Sequence, residues 1–197
     1  MTTTPENLVS LDDLFGNAHT AYRFTDEPVT DEELHAIYDT IKWAPTSMNV
    51  SPLRIVAVRS DQARARLLPL VASFNTVKVE SAPVTLIVAA DTDFREHLPR
   101  LISYKPDAAQ MFADDDARAQ NAIFNTTIQI GYLILGIRAH GLDAGPMLGF
   151  NKAGVNAEFF PDGRHQSVVL INVGHVHPEG NAPRQGRLEA TEAVTVL

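Results

Sequence analysis

The chain has 197 residues, 45% of them hydrophobic, with 16 Lys+Arg against 24 Asp+Glu and a formal charge of −8. That balance argues against a nucleic-acid or anionic-membrane surface, either of which needs a basic footprint, while leaving room for a small basic pocket. The absence of cysteine removes disulfides, thiolate nucleophiles and cysteine-ligated metal or iron–sulfur centres. The length suits one domain, 1–197, with a self-sufficient core.

Met1 to Glu6 hold no basic run leading into an apolar one, so no signal peptide is expected. No apolar stretch approaches the roughly 20 residues of a membrane span. The expectation is a soluble cytoplasmic protein with neither membrane nor nucleic acid as partner. Residues 5–15 predict a short helix with Leu8, Leu11, Leu14 and Phe15 on one face. After a polar link, Asn17 to Phe24, Thr30 and Glu33 form a capping-box pattern. Leu34, Ile37, Tyr38 and Ile41 continue that helix until Pro45 stops it. Trp43 to Pro52 then joins two prolines, three hydroxyls and an asparagine with no charge, a stiff backbone with free hydrogen-bonding groups.

Leu53 to Arg59 reads as a strand, 61–72 as a helix, Ser73 to Lys78 as a polar elbow, and Pro83 to Ala90 as a buried strand. The region 91–116 mixes apolar residues with an acidic run and fits an insert or lid over a site. A long helix over 117–140, ended by Gly141, is apolar on more than one side, which places it in a core or an interface. Gly141 to Phe150 reads as a glycine-punctuated loop, 151–160 as a short helix and Ser167 to Gly174 as a strand. The polar tail ends in a weak strand at 193–197. This order predicts a mixed α/β or α+β sandwich, not a strict βαβ series.

No GxGxxG follows a strand, and GxxxxGK[ST], GxSxG and HExxH are absent. His175 and His177 stand two apart at a strand end beside Pro178 and read as solvated. What remains is a series of donor-rich loops: His19-Thr20-x-x-Arg23; the stretch bearing Pro45, Thr46, Ser47, Asn49 and Ser51; Asn75 and Lys78, one helical turn apart; Gly145 to Gly149, where glycine permits close approach of backbone to a ligand; and Arg184 with Arg187. Singly each fits a surface feature. Together they suit a planar, polar-edged, phosphorylated ligand.

With these pieces in this order the chain resembles the FMN-dependent nitroreductase superfamily over nearly its whole length, closest to its malonic semialdehyde reductase branch. The matching residues are Pro45-Thr46-Ser47-x-Asn49-x-Ser51-Pro52-x-Arg54; Asn75-x-x-Lys78 before Ala82-Pro83-Val84; Gly141-Leu142-Asp143-x-Gly145-Pro146-Met147-x-Gly149-Phe150; and Arg184-x-x-Arg187-Leu188. The resemblance implies an α+β, nitroreductase-like sandwich, with a central, mainly antiparallel sheet flanked by helices. It also implies a homodimer of the domain-swapped type with two FMN sites shared across the interface. His19, Thr20, Arg23, Arg184 and Arg187 would hold the phosphate, and Asn75 and Lys78 the pyrimidine edge of the flavin. Pro146, Met147, Leu148 and Gly149 would lie near N5. Pro45, Thr46, Ser47, Asn49 and Ser51 would reach the flavin of the other subunit. By the same resemblance no side chain is catalytic and no metal is used: NADH or NADPH gives hydride to flavin N5, which passes it to a second substrate.

The chain departs from the family's pattern at several positions. Ala18 or His19 stands where the family has Arg, and Thr20 where it has Ser. Ser51 and Leu53 replace Gln and Trp, and Leu148 replaces Glu. These changes lean away from a nitroaromatic and toward a small aldehyde, malonic semialdehyde reduced to 3-hydroxypropionate. Arg54 and Lys105 are candidate cations for its carboxylate, with Arg54 pairing to an acid as the alternative. A broad nitro or quinone reductase, a flavin-binding protein without turnover, and a non-flavin interaction domain remain open.

Overall fold

The structure, a computed structural model, describes residues 9–197. Strands β1 (Leu53–Val58), β2 (Val84–Asp91), β3 (Asp143–Met147) and β4 (His165–Gly174) form one antiparallel sheet in the order β1-β2-β4-β3. Helices α1 (Asp31–Ile41), α2 (Asp61–Leu67), α3 (Ser73–Ser81), α4 (Leu98–Leu101), α5 (Asp115–Ala139), α6 (Lys152–Phe159) and α7 (Ala190–Ala193) complete the chain.

The central strands β2 and β4 are buried on both faces, so they read as almost unbroken apolar runs. Alternation sends Leu86, Val88 and Ile171 toward α1 and α5, where they meet Ile37, Ile41, Leu133 and Ile137. Ile87, Ala89 and Leu170 face the other way, against Leu67 before α3, Val79 within it and Val155 on α6. Each fully buried side chain of this size contributes about 2 kcal/mol. Thr30 and Glu33 close the capping box of α1, and Gly136 lets α1 cross α5 closely, because a Cβ there would run into Ile41. Gly141, at φ 77°, turns the chain out of α5. The α+β sandwich holds, with the sheet antiparallel throughout.

Several local expectations fail for physical reasons. The predicted elbow at 73–78 is the first part of α3: Arg64 donates to the carbonyls of Val79 and Ala82, closing the helix end that its sequence leaves weak. The 141–150 loop contains β3, an edge strand, the one place where Pro146 can sit in a sheet. The terminal strand at 193–197 is absent. Ala190–Ala193 makes one helical turn, and residues 194–197 pair with no strand. Near the N-terminus a tight turn spans Asp12–Gly16, with Leu11 and Phe15 exposed rather than inward. Residues 5–8 of that predicted helix, Leu8 included, lie outside the described residues. The 91–116 region is short turns and α4 gathered on Phe94, Leu98, Ile102 and Ala108, a small core shared with Val50 and Ala122.

Asp91 ties these parts together. Its fully buried carboxylate accepts from Arg54 Nη2 (2.6 Å), Arg164 Nε and Nη2 (both 2.8 Å) and the Asp93 amide (3.0 Å). Burial pushes the carboxyl up, but the Arg164 hydrogen bonds and the Arg54 charge outweigh it and hold the group below the usual range. The stabilisation is therefore complete above the unfolded value of about 3.9 and is lost as pH falls through the lower folded one. Asp91→Asn is expected to cost about 3 kcal/mol in urea unfolding near neutral pH. The gap to wild type should close below about pH 4.

Candidate functional site

One group of candidate residues meets where α3, the segment 18–25 and the end of β3 converge. The Ala21 amide donates to the Ala144 carbonyl, and isolated bridges pair Ala21 with Asn181 and Phe24 with Val176. The segment that carries His19, Thr20 and Arg23 is thereby held on the edge of the sheet. Lys78 Nζ donates to Asn75 Oδ1 (2.9 Å) and lies 4.8 Å from the centre of the Tyr22 ring, while Asn75 Nδ2 donates to the Gly149 carbonyl (3.2 Å). Asn172 Nδ2 fixes the Lys78 carbonyl from below, and Thr85 fixes Asn172. Arg184 Nη2 donates to the Gly16 and Ala18 carbonyls, bringing the tail alongside His19. Arg187 bonds only its neighbours Gln185 and Gly186 among the described residues, and Arg23 faces Glu179 at 3.9 Å across solvent.

The second group is the 45–52 loop, which lies apart from the first. Leu53 pairs with Ala90 on β2, whereas Asn172, under Lys78, pairs with Thr85 on the same strand. Five positions along β2 are about 16 Å, and two strand spacings across are about 10 Å more. Pro45, Thr46, Ser47, Asn49 and Ser51 are therefore at the far end of the sheet from Asn75 and Lys78. The loop is also strained: Met48, Asn49 and Ser51 take φ of 52°, 51° and 42° with no glycine among them. Each such residue costs on the order of 1–3 kcal/mol unless its surroundings impose it. Here the Ser47 amide donates to Asn125 Oδ1 (2.7 Å), the Leu53 amide to Gln129 Oε1 (3.1 Å) and the Ser51 amide to Thr46 Oγ1 (3.2 Å). Asn49 Nδ2 reaches the Leu101 carbonyl at 3.0 Å.

Two expectations change role. Gly145 makes a close backbone approach, but to Ala21: a Cβ there would lie 2.6 Å from the Ala21 carbonyl oxygen. Of the two candidate cations for a substrate carboxylate, Arg54 takes the alternative role of pairing with an acid, Asp91, and also donates to the Ser51 and Leu53 carbonyls, and Lys105 faces Asp107 at 3.6 Å. Of the Gly145 to Gly149 stretch, Pro146 and Met147 belong to β3, Leu148 is 68% exposed, and Gly149 faces Asn75 and Phe74. Asn125, Gln129, Tyr22 and Asn172 were not anticipated. Asn121, Asn125 and Gln129 recur every four residues on a helix otherwise read for its apolar positions, a signal that was visible. Chemically the first group offers amide, ammonium and guanidinium donors without a nucleophile at hand. That set fits a ligand with an anionic end and a polar ring edge.

Known proteins resemble this chain in sequence and in fold. The profile of the family described as "Nitroreductase family" matches residues 17–175. A "Putative NADH dehydrogenase/NAD(P)H nitroreductase" of Rhodopseudomonas palustris is 46% identical over 187 residues, 95% of either chain. Among solved structures, one described as a "putative nitroreductase in complex with FMN", from Exiguobacterium sibiricum, superposes with a TM-score of 0.87 at 21% identity, over 98% of this chain and 100% of that one. A "putative NAD(P)H:FMN oxidoreductase" of Staphylococcus epidermidis gives 0.84 at 19% identity, over 100% and 99%.

Since the Ala21 carbonyl is backbone and cannot swing aside, Gly145→Ala is expected to destabilise the fold by about 1–3 kcal/mol. Chemical denaturation reads this directly, and an unchanged midpoint would contradict the packing role.

Proposed function

This chain belongs to the nitroreductase family, and we propose that it carries out the chemistry its relatives are named for: it is an FMN-dependent NAD(P)H oxidoreductase. The observation that carries the reading is the meeting of Asn75, Lys78 and Gly149 beside the His19–Arg23 segment. FMN, when bound, would supply hydride-transfer chemistry between NAD(P)H and a second substrate. The protein holds and orients it. Asn75 and Lys78 would hold the polar ring edge, where the Lys78 charge stabilises negative charge. His19, Thr20, Arg23, Arg184 and Arg187 would hold the phosphate. Pro146, Met147, Leu148 and Gly149 would line the reacting side with backbone.

In this reading the working unit is a homodimer of the domain-swapped type. Pro45, Thr46, Ser47, Asn49 and Ser51 complete the site of the other copy, because within one chain they stand a sheet's length from Lys78. The exposed Ile123, Phe124 and Tyr132 on α5 supply an apolar seam. The tail, with Val194, Val196 and Leu197 exposed, supplies an arm to cross it. The 91–116 segment serves as a wall or lid: His97, Arg100 and Leu101 border a cleft of about 870 Å³ that Asn49 and Ser51 also line.

For the second substrate we propose a small aldehyde, malonic semialdehyde reduced to 3-hydroxypropionate in the cytoplasm. Leu148, Ser51 and Leu53 support this, standing where a nitroaromatic-reducing relative would have Glu, Gln and Trp. A broad nitro or quinone reductase is the second reading, favoured by the name of the 46%-identical relative.

The purified protein is expected to be yellow, to release FMN, and to oxidise NADH or NADPH with malonic semialdehyde. A colourless protein that gains no colour from added FMN would sink the flavin reading. Faster turnover of a nitroaromatic or quinone would select the second one. Lys78→Ala is expected to weaken FMN binding about tenfold or to slow its reduction comparably. If affinity and rate are both unchanged, Lys78 does not touch the flavin.

A further inference from the structure

We propose that Asn125 and Gln129 are positioning residues for FMN. Two side-chain amides on α5 hold the strained 46–51 loop in its binding geometry before any ligand arrives. This rests on the FMN reading above. Both amides are buried and stand four residues apart on the helix, so they project from one stripe. Asn125 accepts the Ser47 amide and Gln129 accepts the Leu53 amide, the two backbone donors that bracket the positive-φ residues Met48, Asn49 and Ser51. Asn121, one turn earlier, completes the stripe: its carbonyl and its side-chain oxygen both accept from Asn125 Nδ2. That fixes which way the Asn125 amide is turned and leaves Oδ1 aimed at Ser47.

A loop with three non-glycine residues at positive φ does not keep that shape by its own preference. The bond from the Ser51 amide to Thr46 Oγ1 is internal to the loop, and Asn49 Nδ2 reaches the Leu101 carbonyl at the end of α4. The α5 amides fix its backbone donors to the helix whose Leu133 and Ile137 pack under the sheet, while Arg54 holds the Ser51 carbonyl and Val50 is buried against Phe94 and Ala122. The same helix carries exposed Ile123 and Phe124, next in sequence to Asn125. A loop meant for the ligand of a second copy is thus referenced to the helix that would meet that copy. Ligand binding then need not fund the ordering of the loop, which is how pre-organisation raises affinity.

The test compares shape-matched variants that lose the acceptor with variants that keep it. Asn125→Leu and Gln129→Met remove the oxygen; Asn125→Asp and Gln129→Glu retain it. FMN affinity is read by the fluorescence change on titrating apoprotein, with far-UV circular dichroism and sedimentation as controls. The acceptor-less variants should bind FMN about tenfold more weakly with fold and assembly unchanged, and at least one acceptor-retaining variant should recover most of the loss. Wild-type affinity in both acceptor-less variants, or a loss that the acceptor-retaining variants share in full, overturns the proposal. Should the variants not fold, hydrogen exchange on wild-type apoprotein decides: protected Ser47 and Leu53 amides support a loop held in advance, and unprotected ones overturn it. A wild-type protein that binds no FMN at all refutes the functional reading itself, which is a different result.

Discussion

Asp91 ends the central strand β2 inside the protein, and its carboxylate can stay charged there only because Arg54 on β1 and Arg164 just before β4 reach it from either side. Removing either arginine would leave a buried charge partly uncompensated, the situation proteins tolerate least. The arrangement binds four pieces of chain at one point: the exit of the 45–52 loop, the end of β2, the turn through Asp93, and the entry to β4. Arg54 also donates to the Ser51 carbonyl, so the strained loop inherits its footing from this cluster. The backbone agrees, since the Asp91 amide donates to the Pro52 carbonyl. The end of the sheet that carries the loop is rigid for electrostatic reasons, and the end that carries Lys78 for reasons of hydrogen bonding through Asn172 and Thr85.

Between these ends α5 does several jobs on separate faces. Leu133 and Ile137 anchor it to the core, Asn125 and Gln129 hold the loop, and Ile123, Phe124 and Tyr132 are left to solvent. A helix with no simple apolar stripe is what such a division requires, and its low amphipathicity follows from use rather than from weak packing.

Much of this was legible from residues alone, and the exceptions share a cause. β1, β2 and β4 announced themselves because burial on one or both faces demands apolar, β-branched runs. β3 did not, because Gly145 and Pro146 look like punctuation; they are there since Ala21 crosses Gly145 closely and an edge strand tolerates a proline. α3 was hidden by Ser73, Asn75 and Thr76, poor helix formers whose helix is closed from outside by Arg64. The donor-rich loops stood out as a set; the structure brings Asn75, Lys78 and Gly149 together beside Tyr22, and Arg184 onto the Gly16 and Ala18 carbonyls next to His19. That the 45–52 loop belongs elsewhere is a fact of strand register, which no local pattern encodes. Gln129 and Asn125 escaped because a count of apolar positions passes over the polar ones between them.

The two edges of the sheet are unlike, and the difference bears on assembly. Along β3 the segment through Ala21 already covers the edge, and Pro146 has no amide hydrogen to offer. Along β1 no strand of the described chain lies outside. A sheet open on both sides can recruit neighbours without limit and grow into a fibre. One blocked side removes the second edge that such growth needs, whatever meets the free one. The proline that disguised β3 in the sequence thus also guards against polymerisation.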